Sequence, residues 1–60
     1  MKFHELAIGD MFNTLEARYV KVDDEQAVCV MSGVLTVGEF YVINKSRNLV
    51  VLWTEKRGAK

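Results

Sequence analysis

Apolar positions along the chain fall in short runs broken by glycine, aspartate, asparagine and serine. Residues 18–22 (Arg-Tyr-Val-Lys-Val) have strand composition and stop at Asp23-Asp24, which are poor strand residues and good turn residues. Residues 26–31 follow and end at Ser32-Gly33. Residues 34–37 resume the β-like composition, residues 40–43 form another apolar stretch, and the polar segment 44–48 reads as a turn before a last strand over residues 49–54. Nearer the start, the Gly9-Asp10 turn opens a shorter strand over residues 11–14. Phe3, Leu6 and Ala7 lie at helical spacing, so residues 2–7 predict one helical or 3₁₀ turn. A segment that short is not stable alone, and its expected part is to lay Phe3 and Leu6 over the core.

Five or six short strands, punctuated by turns at the roughly 8–12-residue spacing of small β folds, predict an all-β domain. A chain this apolar benefits from closing its sheet edges, so the expected architecture is a small SH3-like five-stranded β-barrel with a short N-terminal helical turn. An OB-like or open-sheet arrangement is the alternative. Two segments break the alternation that a strand with one wet face should show. Ala27-Val28-Cys29-Val30-Met31 and Leu49-Val50-Val51-Leu52-Trp53 are apolar on both faces. Their second face requires a cover, which is a loop or the tail, a second copy of the chain, or a foreign partner.

Sixty residues make one domain, expected over residues 1–55, followed by a basic tail over residues 56–60 that should fray. A domain of this size has a small core and usually needs a staple. Cys29 is the only cysteine, so no internal disulfide forms, and His4 is the only histidine, so a Cys/His zinc site is out of reach. Tight packing or self-association is left, and 50% hydrophobic residues favour a homodimer or an adhesive face. The single cysteine, the absence of an apolar leader after Lys2, and apolar runs far short of the about 20 residues of a membrane helix predict a cytoplasmic protein with no membrane contact. Net charge is zero but segregated, −3 over residues 1–30 and +3 over residues 31–60. That is neither the basic balance of a dedicated nucleic-acid binder nor the acidity of a DNA mimic.

The segment Phe3-His4-Glu5-Leu6-Ala7-Ile8-Gly9-Asp10-Met11-Phe12 has the form F-x-x-L-x-x-G-D-x-F. Gly9 permits a positive φ at the turn, Asp10 accepts hydrogen bonds from that turn's backbone, and Phe3, Leu6, Ile8 and Phe12 are expected to converge on one side. Together with Tyr19-Val20-Lys21-Val22, Ala27-Val28 and Ser32-Gly33, the segment resembles small SH3-like β-barrel proteins of bacteria, phages and mobile elements. The resemblance covers residues 3–33 and is a packing signature without an active site. It implies a barrel capped by the Phe/Leu turn. Since some phage-borne proteins of this size block host defences, it also implies a protein that binds and modulates a host protein.

No residue pattern supports catalysis. There is no phosphate loop, dinucleotide fingerprint or nucleophile elbow, and 60 residues leave little room for a supported active site. Cys29 sits in an apolar run, where cysteine acts as a small hydrophobe, and the Asp23-Asp24-Glu25 cluster lacks the spacing of a calcium loop. No cofactor and no metal are expected. The residues expected to contact a protein partner are the aromatic and basic set Tyr41, Lys45, Arg47 and Trp53 and the acidic tip Asp23, Asp24 and Glu25. The alternative is a nucleic-acid-binding barrel that stacks bases on Phe40, Tyr41 or Trp53 beside Lys45, Arg47, Lys56 and Arg57. If Phe40 and Trp53 belong to the core, those cations are ordinary surface. A structural homodimer built on residues 49–53 is the third reading.

Overall fold

The computed structural model describes residues 1–57. A 3₁₀ turn (Phe3–Glu5) precedes five strands, β1 (Met11–Asn13), β2 (Ala17–Asp23), β3 (Gln26–Ser32), β4 (Phe40–Val42) and β5 (Trp53–Glu55). They form a single antiparallel sheet in the order β4-β3-β2-β1-β5, so the class is all-β, as the sequence predicts. β4 and β5 are its edges, and no ladder joins them among the described residues, so the sheet is open and a closed barrel is not formed. With the cap and loops packed on it, the chain measures 29 × 22 × 20 Å with a Cα radius of gyration of 10.2 Å.

Burial follows the two-residue period of each strand. Ala17, Tyr19 and Lys21 of β2, Phe12 of β1, and Ala27 and Cys29 of β3 point inward. Phe3, Leu6 and Ile43 close the core. An aromatic chain runs through it: Phe3 meets Phe12 edge-on at 6.0 Å, Phe12 stacks on Tyr19 at 5.3 Å, and Tyr19 meets Tyr41 edge-on at 6.1 Å. Such contacts add about 0.5–1.5 kcal/mol each beyond the area they bury.

The N-terminal cap is built as its residues suggest. Gly9 takes a φ of 97°, a conformation that favours glycine, and its N–H donates to the Lys21 carbonyl at 2.7 Å. The Asp10 carboxylate is fully buried and accepts the Ala7 N–H at 2.9 Å. Phe3, Leu6 and Phe12 converge, but Ile8, expected with them, is exposed. The Asp10 N–H closes a turn onto the Ala7 carbonyl at 2.9 Å, and this turn swings position 8 outward. Lys21 takes the third inward position of β2 and is only 4% exposed. Its ammonium donates to the carbonyls of Phe3 at 3.1 Å and Leu6 at 2.7 Å and lies 4.5 Å from the Phe3 ring centre. One cation thus ties the cap to the sheet.

Two expected strands differ. Residues 34–37 form bends and a turn, because the Ser32 hydroxyl accepts the N–H groups of Val34 at 3.0 Å and Leu35 at 2.8 Å. Local bonds of this kind compete with a ladder. The last strand is confined to Trp53–Glu55. In residues 49–52 the backbone bonds lead elsewhere, the Leu49 N–H to Met1 and the Leu52 N–H to Asn13. Leu49 and Val51 turn toward the core and Val50 and Leu52 toward solvent, so among the described residues no loop covers the second face of this run. The tail expected over residues 56–60 is described only at Lys56 and Arg57, and residues 58–60 lie outside the described residues. Lys56 reaches the Asp10 carboxylate at 3.2 Å, and Arg57 pairs with Glu55.

Candidate binding surfaces

The β2–β3 hairpin sets the outer face of the sheet. Its tip, Asp24-Glu25, has no residue with positive φ, which excludes the primed turns whose twist matches a hairpin. The mismatch is accommodated by irregularities in the ladder. Near the tip, Lys21 pairs with Ala27 and Asp23 with Gln26, which leaves Val22 over. Further along, Tyr19 pairs with Cys29 and Arg18 with Met31, which leaves Val30 over. A bulge places two neighbouring residues opposite one. Val30 and Met31 are accordingly both exposed, beside Arg18.

Register then assembles the outward residues of all five strands. One row runs Phe40, Val28, Val20, Met11, Glu55 from β4 to β5, and a second runs Met31, Arg18, Asn13, Trp53 from β3 to β5. Val42 extends the apolar surface beside Gln26. Phe40 is 63% exposed, Met31 60%, Val42 75% and Trp53 40%. Arg18 is held in place, since its Nε donates to Asn13 Oδ1 at 2.8 Å while its guanidinium carbon lies 4.9 Å from the Trp53 ring centre. This cation–π stack is pre-formed and presents a flat aromatic and cationic surface.

On the inner side, a cleft of about 270 Å³ opens between the β1–β2 turn and the 43–50 segment. Phe12, Ile43 and Leu49 supply its apolar lining, and Glu16, Tyr19 and Arg47 its polar groups. Burial, the largest effect, lifts the Tyr19 phenol above its ordinary value of 10.0; Cys29, Glu16 and Tyr41 act in the same direction and Arg47 against it.

The expected contact residues do not form one patch. Tyr41 lies on β4 facing inward against Tyr19, with its hydroxyl donating to the Thr36 carbonyl at 3.5 Å, while Trp53 lies on the opposite edge strand and faces outward. Lys45 and Arg47 share the exposed turn closed by the Arg47 N–H on the Asn44 carbonyl at 3.0 Å. Asp23, Asp24 and Glu25 are exposed at the hairpin tip, and the Ile43 N–H donates to the Glu25 carbonyl at 2.7 Å, which brings that tip within two residues of Lys45. Of the four cations in the nucleic-acid reading, Lys56 and Arg57 are paired with carboxylates. Phe40 and Trp53 are not core residues. Sequence reasoning missed Arg18, Met31 and Val42. The signal for Arg18 was present, since it sits one residue out of phase with Ala17 and Tyr19. The signal for Met31 was hidden by the bulge.

Fold and surface together define a small all-β domain with an open antiparallel sheet and an uncovered apolar outer face. No family model, no curated protein and no solved structure matches the chain. Among the described residues, no helix is long and apolar enough to cross a membrane, and no group of three or more His, Cys, Asp or Glu residues is placed to hold a metal ion.

Proposed function

We propose that this protein is a non-enzymatic binding module that engages a protein partner through the outer face of its sheet, centred on Trp53, Arg18, Met31 and Phe40. The observation that carries the reading is the uncovered apolar face itself. Phe40, Met31, Val42 and Trp53 are all exposed on it, and a standard interface takes about 800 Å² from each partner. Trp, Arg, Met and Phe are the residues that anchor such interfaces. The Asn13–Arg18–Trp53 arrangement is set before binding, which lowers the ordering cost of association. The strand order β5-β1-β2-β3-β4 supports an SH3-like barrel left open between β4 and β5. The resemblance of residues 3–33 to phage and mobile-element proteins supports a host protein as the partner.

A homodimer through the same face is the second reading. It is favoured by a core of eight buried apolar residues without a staple and by zero net charge, which lets two copies approach without repulsion. The test is a pull-down from bacterial lysate with and without nuclease and at raised salt, repeated with Phe40→Ser plus Trp53→Ser, together with light scattering of the free protein. One retained protein that survives nuclease and salt and is lost with the double variant supports the proposal. Retention unchanged by the double variant removes the face from consideration. Loss with nuclease or moderate salt turns the reading to nucleic acid and to Lys45, Arg47, Lys56 and Arg57. A mass of twice the monomer that falls to the monomer value in the double variant assigns the face to a second copy.

A further inference from the structure

Tyr19 is nine-tenths buried, fixed by the Phe12 stack and the Tyr41 edge contact, yet its hydroxyl makes no hydrogen bond with any described residue. Among the described residues no fully buried side-chain oxygen or nitrogen is left unpaired, so this hydroxyl is reached from the cleft that Tyr19 lines. The cleft mixes apolar and polar lining, and a rigid polar group among apolar side chains is what orients a ligand in a binding site. Arg47 stands on the same cleft with its guanidinium unpaired among the described residues, and Glu16 adds a carboxylate. Both act electrostatically on the Tyr19 phenol, in opposite directions, so the hydroxyl lies in the field of both charges.

We propose that the cleft binds the carboxylate end of an apolar α-amino-acid unit. The Tyr19 hydroxyl and the Arg47 guanidinium donate to the carboxylate, Phe12, Ile43 and Leu49 take the apolar side chain, and Glu16 accepts from the α-nitrogen. Size and charge set these terms. A cleft of about 270 Å³ is just below the ~300–1,000 Å³ of sites for drug-sized ligands, a size that suits one residue. A guanidinium and a phenol lining the same cleft can both donate to a carboxylate, and the charge-assisted bond from the guanidinium is one that a neutral amide does not match. Glu16 disfavours a second acid and favours an N–H beside the first. The unit comes from one of two sources, a free apolar amino acid or the C-terminal residue of another chain. This site shares no residue with the outer face, so it stands whether or not that face binds a protein.

The experiment is an amide-resonance titration of the intact chain with leucine, N-acetyl-glycyl-leucine and N-acetyl-glycyl-leucinamide. We expect the acids to shift resonances of residues 14–19 and 47–49, with the amide binding at least tenfold more weakly. Arg47→Gln should weaken the acid about tenfold, and Tyr19→Phe several-fold. Binding of leucine alone assigns the site to a small molecule, and binding of the peptide acid alone assigns it to a chain end; either supports the site. Equal affinity for acid and amide overturns the proposal, as does an Arg47→Gln variant that binds like the parent. So does the absence of shifts in these segments at tens of millimolar ligand. Phe40→Ser plus Trp53→Ser, which alters only the outer face, should leave this titration unchanged.

Discussion

Replacing Lys21 by methionine tests whether one buried cation holds the N-terminal cap on the sheet. Methionine keeps the unbranched apolar stem and removes the ammonium. The Phe3 carbonyl keeps a second donor, the Leu6 N–H at 3.1 Å, but the Leu6 carbonyl loses its 2.7 Å bond to Nζ. A buried carbonyl left without a partner costs about 1–3 kcal/mol, and hydrogen bonds to a charged group contribute about 1.5–3 kcal/mol. Relief of the ammonium's desolvation returns part of this, which leaves a net loss of about 2–3 kcal/mol. A 60-residue domain has on the order of 3–9 kcal/mol in total. The urea midpoint, read from circular dichroism, should therefore fall by roughly 2–3 M with the slope unchanged, and Tm by about 10–20 °C. Lys2→Met is the control. It removes a lysine-to-carbonyl contact of 3.4 Å on the exposed surface and should move stability by less than about 0.5 kcal/mol. A Lys21→Met variant within about 0.5 kcal/mol of the parent refutes the reasoning, because the cap would then be held by Phe3 and Leu6 packing alone.

Gly9→Ala places a side chain at a φ of 97° and should lower stability by about 1 kcal/mol or more, read as a fall of roughly 5 °C in Tm. The fully buried Cys29 thiol should react with an aromatic disulfide reagent only through opening of the fold, roughly a hundredfold or more slower than in denaturant. The Tyr19 phenol has a folded-state pKa above its ordinary 10.0, so its contribution is fully present below pH 10 and is lost as pH rises toward the folded value. Alkaline denaturation curves should show this loss, and Tyr19→Phe should flatten it.

What the sequence made legible was what depends on neighbours along the chain. The Phe3, Leu6 and Phe12 cap, the Gly9 turn and the Asp10 bond follow from local spacing, and the structure has them. What it hid depends on register and on single side chains acting on backbone. Ser32 captures two amides and cancels the strand expected over residues 34–37. A one-residue bulge turns Val30 and Met31 outward together. Lys21 points inward in phase with Ala17 and Tyr19, a position that composition alone does not offer a lysine and that the two carbonyls it caps account for. The candidate surface was half legible for the same reason. Trp53 and Phe40 stood out by type, while Arg18, Met31 and Val42 were brought onto the outer face by the bulge and by cross-strand pairing.

The distribution of apolar side chains bears on why a marginal domain leaves so many of them in water. Phe40, Val42, Met31 and Trp53 contribute little to the core, because each is at least 40% exposed. A sequence shaped for stability alone would alternate polar residues at these positions and gain solubility at no cost to packing. The local devices run the other way. The bulge doubles the apolar residues beside Arg18, Asn13 fixes that arginine over Trp53, and β4 ends in two outward apolar residues on an edge that carries no charge. Edges of this kind are normally guarded because they recruit other strands. Three features, bulge, stack and edge, therefore add to one face, and under the proposed reading a molecule that covers this face accounts for its cost in solubility. That molecule buries Phe40 and Trp53 in either reading, so protection of the β4 and β5 amides from hydrogen exchange should rise when the cover is in place and should not rise in the Phe40→Ser, Trp53→Ser variant.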